Sequence, residues 1–252
     1  MTPETRSRVS HRLHDRLAVG SLFIALGFAL FSPKDVVQGD LTRMLYIHVP
    51  SIMTAYAAFL LATVTTIGYL ITRSLRWDRW AGASAEIGVV FLGLAIATGM
   101  IWGKPVWGVW WTWDARLTST ALMFFIYLGY LGLRRSIADP ESRARRSAIL
   151  GIVAVVQIPI VHFSVLWWNT LHQAPTILRP GEPQIDAPLA LALVSGMVAF
   201  LIVFSALLRR RLALSAIESE LYDTGLGVDA PLAGDAVTAP QLGSATLEDT
   251  SR

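Results

Sequence analysis

Two histidines, an arginine and a dense run of tryptophans are the residues of this chain whose types and spacing can do chemistry. His48 sits in Tyr46-Ile-His-Val-Pro50, and His172 closes the run Trp167-Trp168-Asn-Thr-Leu-His172. Between them in sequence lies Trp107-Gly-Val-Trp110-Trp111-Thr-Trp113-Asp114-Ala-Arg116. Neutral imidazole is a common metal ligand, and two imidazoles with aromatic surface between them suit axial ligation of a haem iron. The indole rings offer an apolar shelf for a flat hydrophobic ligand. Arg116, at the edge of that shelf, can hold a carboxylate in two-point geometry. Asp114 is two residues away, so a local ion pair that fixes the loop is an alternative role for both, compatible with the first. Cysteine is absent, which excludes disulfides, zinc thiolate sites, iron–sulfur clusters, thiol nucleophiles and covalent CxxCH haem attachment on this chain.

The elements that must position these residues are set by composition. Of 252 residues, 54% are hydrophobic and 15% charged, with a mean hydropathy of +0.52; soluble domains carry about 25% charged residues. An ordinary soluble enzyme and a nucleic-acid binder are excluded, despite a pI near 9.5. Six stretches lack Asp, Glu, Lys and Arg: Leu17–Pro33, Met44–Thr72, Ile87–Gly103, Leu117–Leu133, Ser147–Leu178 and Ala187–Leu208. Each meets or approaches the roughly 17–25 residues that a transmembrane helix needs. The expected fold is therefore an all-α polytopic membrane protein with six transmembrane helices. The first stretch lacks an A-x-A cleavage site and reads as a retained helix rather than a signal peptide. The second is long enough to begin before the membrane. The fifth should leave it near Trp167-Trp168.

Of the 21 basic residues, sixteen fall in the N-terminal segment, the second and fourth connections and the C-terminal segment. The positive-inside rule then puts both termini in the cytoplasm, with the tryptophan-rich loop (about 103–118) outside. Residues 1–16 form a basic cytoplasmic N-terminus, 17–210 the six-helix domain, and 211–252 an acidic tail. That tail is too polar to offset its ordering entropy and is expected to be disordered, although Ala213–Leu221 can prolong the last helix.

On this topology His48 and His172 reach the outer rim from opposite flanks of the tryptophan loop. His11 and His14, in the basic N-terminal segment, read as solvated. An aromatic belt at headgroup depth explains Trp77, Trp80 and one or two outer tryptophans. Five tryptophans between Trp102 and Trp113, with Gly103, Pro105 and Gly108 to bend the backbone, exceed what anchoring requires. His162 lies about 9 Å below Trp168 at 1.5 Å per residue, inside the fifth span. An intramembrane histidine is a functional candidate, although it can equally bond a backbone carbonyl such as the one Pro159 frees. It ranks behind the two rim histidines and as the substitute should His172 fail. No Walker A motif, Rossmann fingerprint, nucleophile elbow or HExxH occurs, so any ATP-driven step must be powered by another chain.

The run Trp107 to Ser119, Trp-Gly-Val-Trp-Trp-Thr-Trp-Asp-Ala-Arg-Leu-Thr-Ser, resembles the tryptophan-rich "WWD" signature of the haem-handling proteins of cytochrome c biogenesis. Its continuation after the aspartate is similar to the CcmC branch rather than to the CcmF and CcsA haem lyases. Tyr46-Ile-His48-Val-Pro50 and His162-Phe-Ser-Val-Leu-Trp167-Trp168-Asn-Thr-Leu-His172-Gln resemble CcmC at the expected places, over about residues 17–210. The resemblance implies a bacterial cytoplasmic-membrane protein that presents haem on the periplasmic face to a haem chaperone, CcmE. It implies His48 and His172 as axial ligands of a transiently bound haem b. The tryptophan loop (Trp107, Trp110, Trp111, Trp113, with Asp114) would lie against the ring, and Arg116 would meet a propionate. The implied partners are the ABC-type pair CcmA and CcmB, with the small CcmD. The chain itself is expected to be no enzyme, and its ligands to sit on loops, where they are easily displaced. Two other classes stay open: a membrane electron-transfer subunit with permanent b-type haem, and a permease subunit that moves haem across the bilayer.

Overall fold

The computed structural model describes residues 3–172 and 185–224. Seven helices occur among them: α1 (Pro3–Phe31), α2 (Leu45–Thr72), α3 (Leu75–Trp107), α4 (Ala115–Arg135), α5 (Pro140–Ala154), α6 (Gln157–Trp167) and α7 (Ala187–Asp223). Six stretches are long and apolar enough to cross a membrane, with α5 and α6 forming one of them together. No strand occurs among the described residues. The chain divides into two compact units, Met1–Ser215 and Ala216–Arg252, and the architecture below is that of the first. The tail beyond Thr224, expected to be disordered, lies outside the described residues, as does 173–184.

The centre of the first unit is the packing of α2 against α3. Buried Ala55, Ala58, Phe59 and Ala62 of α2 meet Ala83, Ala85, Leu92 and their neighbours on α3. Small residues dominate because the fold has to bring backbones close where lipid supplies no hydrophobic drive between helices. Phe59 stacks on Tyr127 of α4 with ring centroids 3.6 Å apart, which ties the fourth helix to this pair.

Helix ends and breaks follow from particular residues. α2 has 28 residues, about 42 Å at 1.5 Å each, longer than a bilayer core of about 30 Å. A single tight turn, Asp40–Met44, leads into it. Within α2, Pro50 has no N–H to offer the Tyr46 carbonyl. Helix α7 approaches that same carbonyl at Gly196, where a Cβ would come within 3.0 Å of the oxygen. The fifth span breaks between Ala154 and Gln157, with Val156 donating to the Val153 carbonyl and Ile158 to the Val155 carbonyl. These i to i−3 bonds tighten the turn just before Pro159, whose ring would clash with the carbonyl four residues back. α6 then ends at Trp167, where the sequence places the exit of that span.

At one end of the bundle the connections α1–α2 and α3–α4 come together with residues 168–172 after α6. At the other end the guanidinium of Arg134 (α4) straddles the carboxylate of Asp78 (α3) at 2.6 and 2.8 Å, both side chains being nearly buried.

Candidate functional site

The face of α2 that carries His48 recurs at helical spacing: Leu45, His48, Val49, Ile52, Met53 and Tyr56. Opposite, α3 presents Ala95, Gly99, Trp102, Gly103 and Val106 in the same rhythm. Between these faces lies a cavity closed by Trp107 and Trp111 of the α3–α4 region, Arg116 of α4, His162 of α6, and His172. Gln38 from the α1–α2 connection also lines it and accepts a 3.0 Å hydrogen bond from the Trp102 indole. Its wall is mostly apolar with a few convergent polar groups, as small-molecule sites are.

His48 is fixed from α3. Its Nδ1 lies 2.9 Å from the Ala95 carbonyl and 3.3 Å from the Thr98 hydroxyl, while that hydroxyl is spent on the Leu94 carbonyl at 2.8 Å. A carbonyl only accepts, so Nδ1 carries the proton and Nε2 keeps its lone pair. The ring packs edge-on to Trp102 at 5.9 Å. Because α2 begins at Leu45, His48 stands in the first turn of a packed helix. Only His172 lies on an irregular segment, so the expectation of two loop-borne imidazoles holds for one of them. The difference arises because the Asp40–Met44 turn lets the helix start ahead of the histidine.

His172 is held from α4. Its Nδ1 lies 3.3 Å from Asp114 Oδ2, and its ring sits edge-on to Trp107 at 4.7 Å. The acceptor is again purely an acceptor, so Nε2 again keeps its lone pair. Burial holds this imidazole below its usual range; Asp114 opposes the shift and the Arg116 charge adds to it. The ring is therefore neutral at pH 7.

Asp114 and Arg116 do not pair with each other. Asp114 caps α4 by accepting from the Leu117 N–H at 2.8 Å and turns its other oxygen to Leu171 N–H and His172. Arg116 gives Nη2 to the His162 carbonyl at 2.8 Å, and its buried Nε has no partner among the described residues. A half-used guanidinium on a cavity wall suits a carboxylate guest. Two metal-competent nitrogens, an aromatic wall and this orphaned donor together fit an iron porphyrin dicarboxylate.

The tryptophans separate. Trp107 and Trp111 line the cavity, whereas Trp110 and Trp113 are 55% and 79% exposed. Trp113 lies edge-on to Trp111, 5.6 Å away. The separation follows from chain direction: α3 ends at Trp107, capped by Gly108 in the left-handed region (φ 78°), and the chain then runs without helix to Asp114. His162 contributes its carbonyl to Arg116 and its ring to the cavity, beside Tyr56 at 6.4 Å. Gln38, Tyr56, Ala95, Thr98 and Gly99 also stand at the site, and nothing in their types or local spacing marks them in the sequence. The α3 members recur at i, i+3 and i+4, a signal available once that face is known to oppose His48.

The model of the family described as "CcmC: Heme exporter protein C" matches residues 2–224. The chain is 38% identical to "Heme exporter protein C" of Haemophilus influenzae over 210 residues, covering 80% of this chain and 84% of that one. With "Heme exporter protein C" of Bradyrhizobium diazoefficiens it shares 38% over 186 residues, covering 74% and 71%. A "Putative cytochrome c biosynthesis ccmC-like mitochondrial protein" of Arabidopsis thaliana is 36% identical over 210 residues, covering 82% and 78%.

Proposed function

This chain belongs to the CcmC family, and from that premise we propose that it binds haem at the outer face of the cytoplasmic membrane and delivers it to the chaperone CcmE. Haem handling for cytochrome c maturation is the role that its relatives' names carry. The bound species is haem b, held transiently. His48 and His172 supply Nε2 to the iron, Trp107 and Trp111 face the ring, and Arg116 receives a propionate. Trp110 and Trp113 stand outside the cavity, available to the partner or the headgroup layer. Asp114 and His162 act through His172 and Arg116. The protein is a transfer component, with ATP hydrolysis on the CcmA–CcmB pair and CcmD as a further subunit. Both termini are cytoplasmic, on the strength of the charge distribution.

One observation carries this reading: two imidazoles, each with Nδ1 anchored on an acceptor, line one cavity together with an arginine whose buried Nε has no partner among the described residues. Their unequal mounting favours transfer over permanent electron conduction. His48 is wedged between two packed helices, while His172 sits on a segment that can open at lower free-energy cost.

The test is an absorption spectrum of purified protein, wild type beside His48→Ala, His172→Ala, His162→Ala and the His48/His172 double variant. Wild type should show a low-spin bis-imidazole haem, each rim variant a weaker and altered one, and the double variant none. Wild-type occupancy in the double variant would remove the ligand assignment. A haem off-rate that CcmE does not accelerate would favour the electron-transfer alternative.

A further inference from the structure

The Asp114 carboxylate is shared between two tasks. Oδ1 accepts the Leu117 N–H at 2.8 Å and starts α4, while Oδ2 accepts the Leu171 N–H at 3.2 Å and His172 Nδ1 at 3.3 Å. The carboxylate is 9% exposed and the imidazole 17%, so few waters compete for the contact between them. Neither oxygen is directed at the neighbouring cation, because Arg116 is bonded to the His162 carbonyl. A helix cap alone needs one oxygen. The second is aimed at the segment that carries the candidate ligand.

We propose that Asp114 is a positioning residue: it fixes the His172 ring in the Nδ1–H tautomer and turns Nε2 toward the cavity. The proposal rests on the haem-site reading above for its consequence, though not for its geometry. An imidazole protonated on Nε2 cannot bind iron through that nitrogen, and neutral histidine is free to exchange tautomers unless its other nitrogen has a committed acceptor. Asp114 is that acceptor. It thereby makes the end of the tryptophan loop part of the ligand's mount, and its role in the Trp-Asp signature is aimed at the imidazole rather than at the porphyrin.

A serine at this position separates the two tasks. Ser is as good an N-cap as Asp, but its hydroxyl is too short to cap α4 and reach His172 together. Asp114→Ser should therefore insert and keep the helix content of wild type. Its haem should dissociate about 10–100-fold faster, the range typical when the partner of a metal-bound histidine is removed. Its spectrum should approach that of His172→Ala. Independently of haem, nitrogen-15 NMR of histidine-labelled apoprotein should show His172 as Nδ1–H in wild type and lose that preference in Asp114→Ser. A serine variant identical to wild type in spectrum, off-rate and tautomer would reduce Asp114 to a helix cap and overturn the proposal. If His172→Ala kept the wild-type spectrum, the haem-site reading would fail instead. Asp114 would then be judged on the tautomer alone, an unchanged tautomer overturning the proposal and a lost one supporting it.

Discussion

The His48 ring hangs from the Ala95 carbonyl by a 2.9 Å hydrogen bond, and directly above it on α3 stands a glycine. A Cβ at Gly99 would lie 2.9 Å from His48 Cε1 and 3.3 Å from Nδ1. The imidazole occupies the space that a side chain would need.

Gly99→Ala should therefore expel the ring without breaking the helix. Overpacking of this kind costs about 1–3 kcal/mol, and here the movable part is the candidate ligand. Haem retained per protein after purification should fall several-fold, as judged by the pyridine haemochrome. Gly93→Ala on the same helix is the control, since its Cβ would meet Phe124 at an ordinary 3.4 Å. Equal loss in both variants would mean that helix damage, not His48, is responsible.

Arg116 should discriminate carboxylates. Hydrogen bonds to charged groups contribute about 1.5–3 kcal/mol, so Arg116→Ala should weaken haem binding by roughly 10–100-fold. Arg116→Lys should recover little of that, because an ammonium cannot keep the His162 carbonyl and present a second donor at Nε together. Titration with haem dimethyl ester provides the check. Wild type and Arg116→Ala should bind the ester equally, and a persisting difference would point to a packing role.

Acid should release haem late. Because burial lowers the His172 pKa from the ordinary 6.5, the ring remains neutral and able to ligate as pH falls through that value. The unfolded chain takes up a proton first. Stability contributed by the neutral ring is thus complete above pH 6.5 and declines as pH drops from there toward the lowered folded value. Occupancy followed from pH 7.5 downward should be flat to 6.5 and fall below it. A midpoint above 6.5 would contradict the burial of this imidazole.

At the opposite end of the bundle the prediction concerns stability alone. Asp78→Asn strands the Arg134 guanidinium, whose pair is 5% and 13% exposed at its two side chains. Breaking such a pair costs about 3–5 kcal/mol. The variant should lose thermal stability in detergent while its folded fraction keeps the wild-type ratio of haem to protein. A changed ratio would show that the two ends of the bundle are coupled.

The class of the fold was legible because bilayer thickness imposes a length on every span, and uncharged runs display that length directly. Met44–Thr72 and Ser147–Leu178 were readable as overlong; the chain keeps nearly all of the first as one 28-residue helix, α2, and ends α6 at Trp167 in the second. Pro159 was legible as a disturbance, though not that the helix would split into α5 and α6. Among the site residues, His48, His172, Arg116 and the tryptophan run stand out by type and spacing. Gly99, Ala95 and Thr98 do not, because a glycine, an alanine and a threonine in an apolar helix look alike whether they face lipid or a ring.

The sequence by itself determined six helical spans, their charge asymmetry and a rim rich in imidazole and indole, since each is a property of local composition against a slab of fixed thickness. Only the tertiary structure decided that Trp107 and Trp111 face inward while Trp110 and Trp113 face out, and that Asp114 reaches His172 instead of Arg116. It also decided which ring nitrogen of each histidine is left for a ligand. Those outcomes depend on acceptors contributed by other helices, 47 residues away for His48 and 58 for His172. A hydrogen bond of fixed reach selects its partner in space, and neighbourhood along the chain carries no record of that choice.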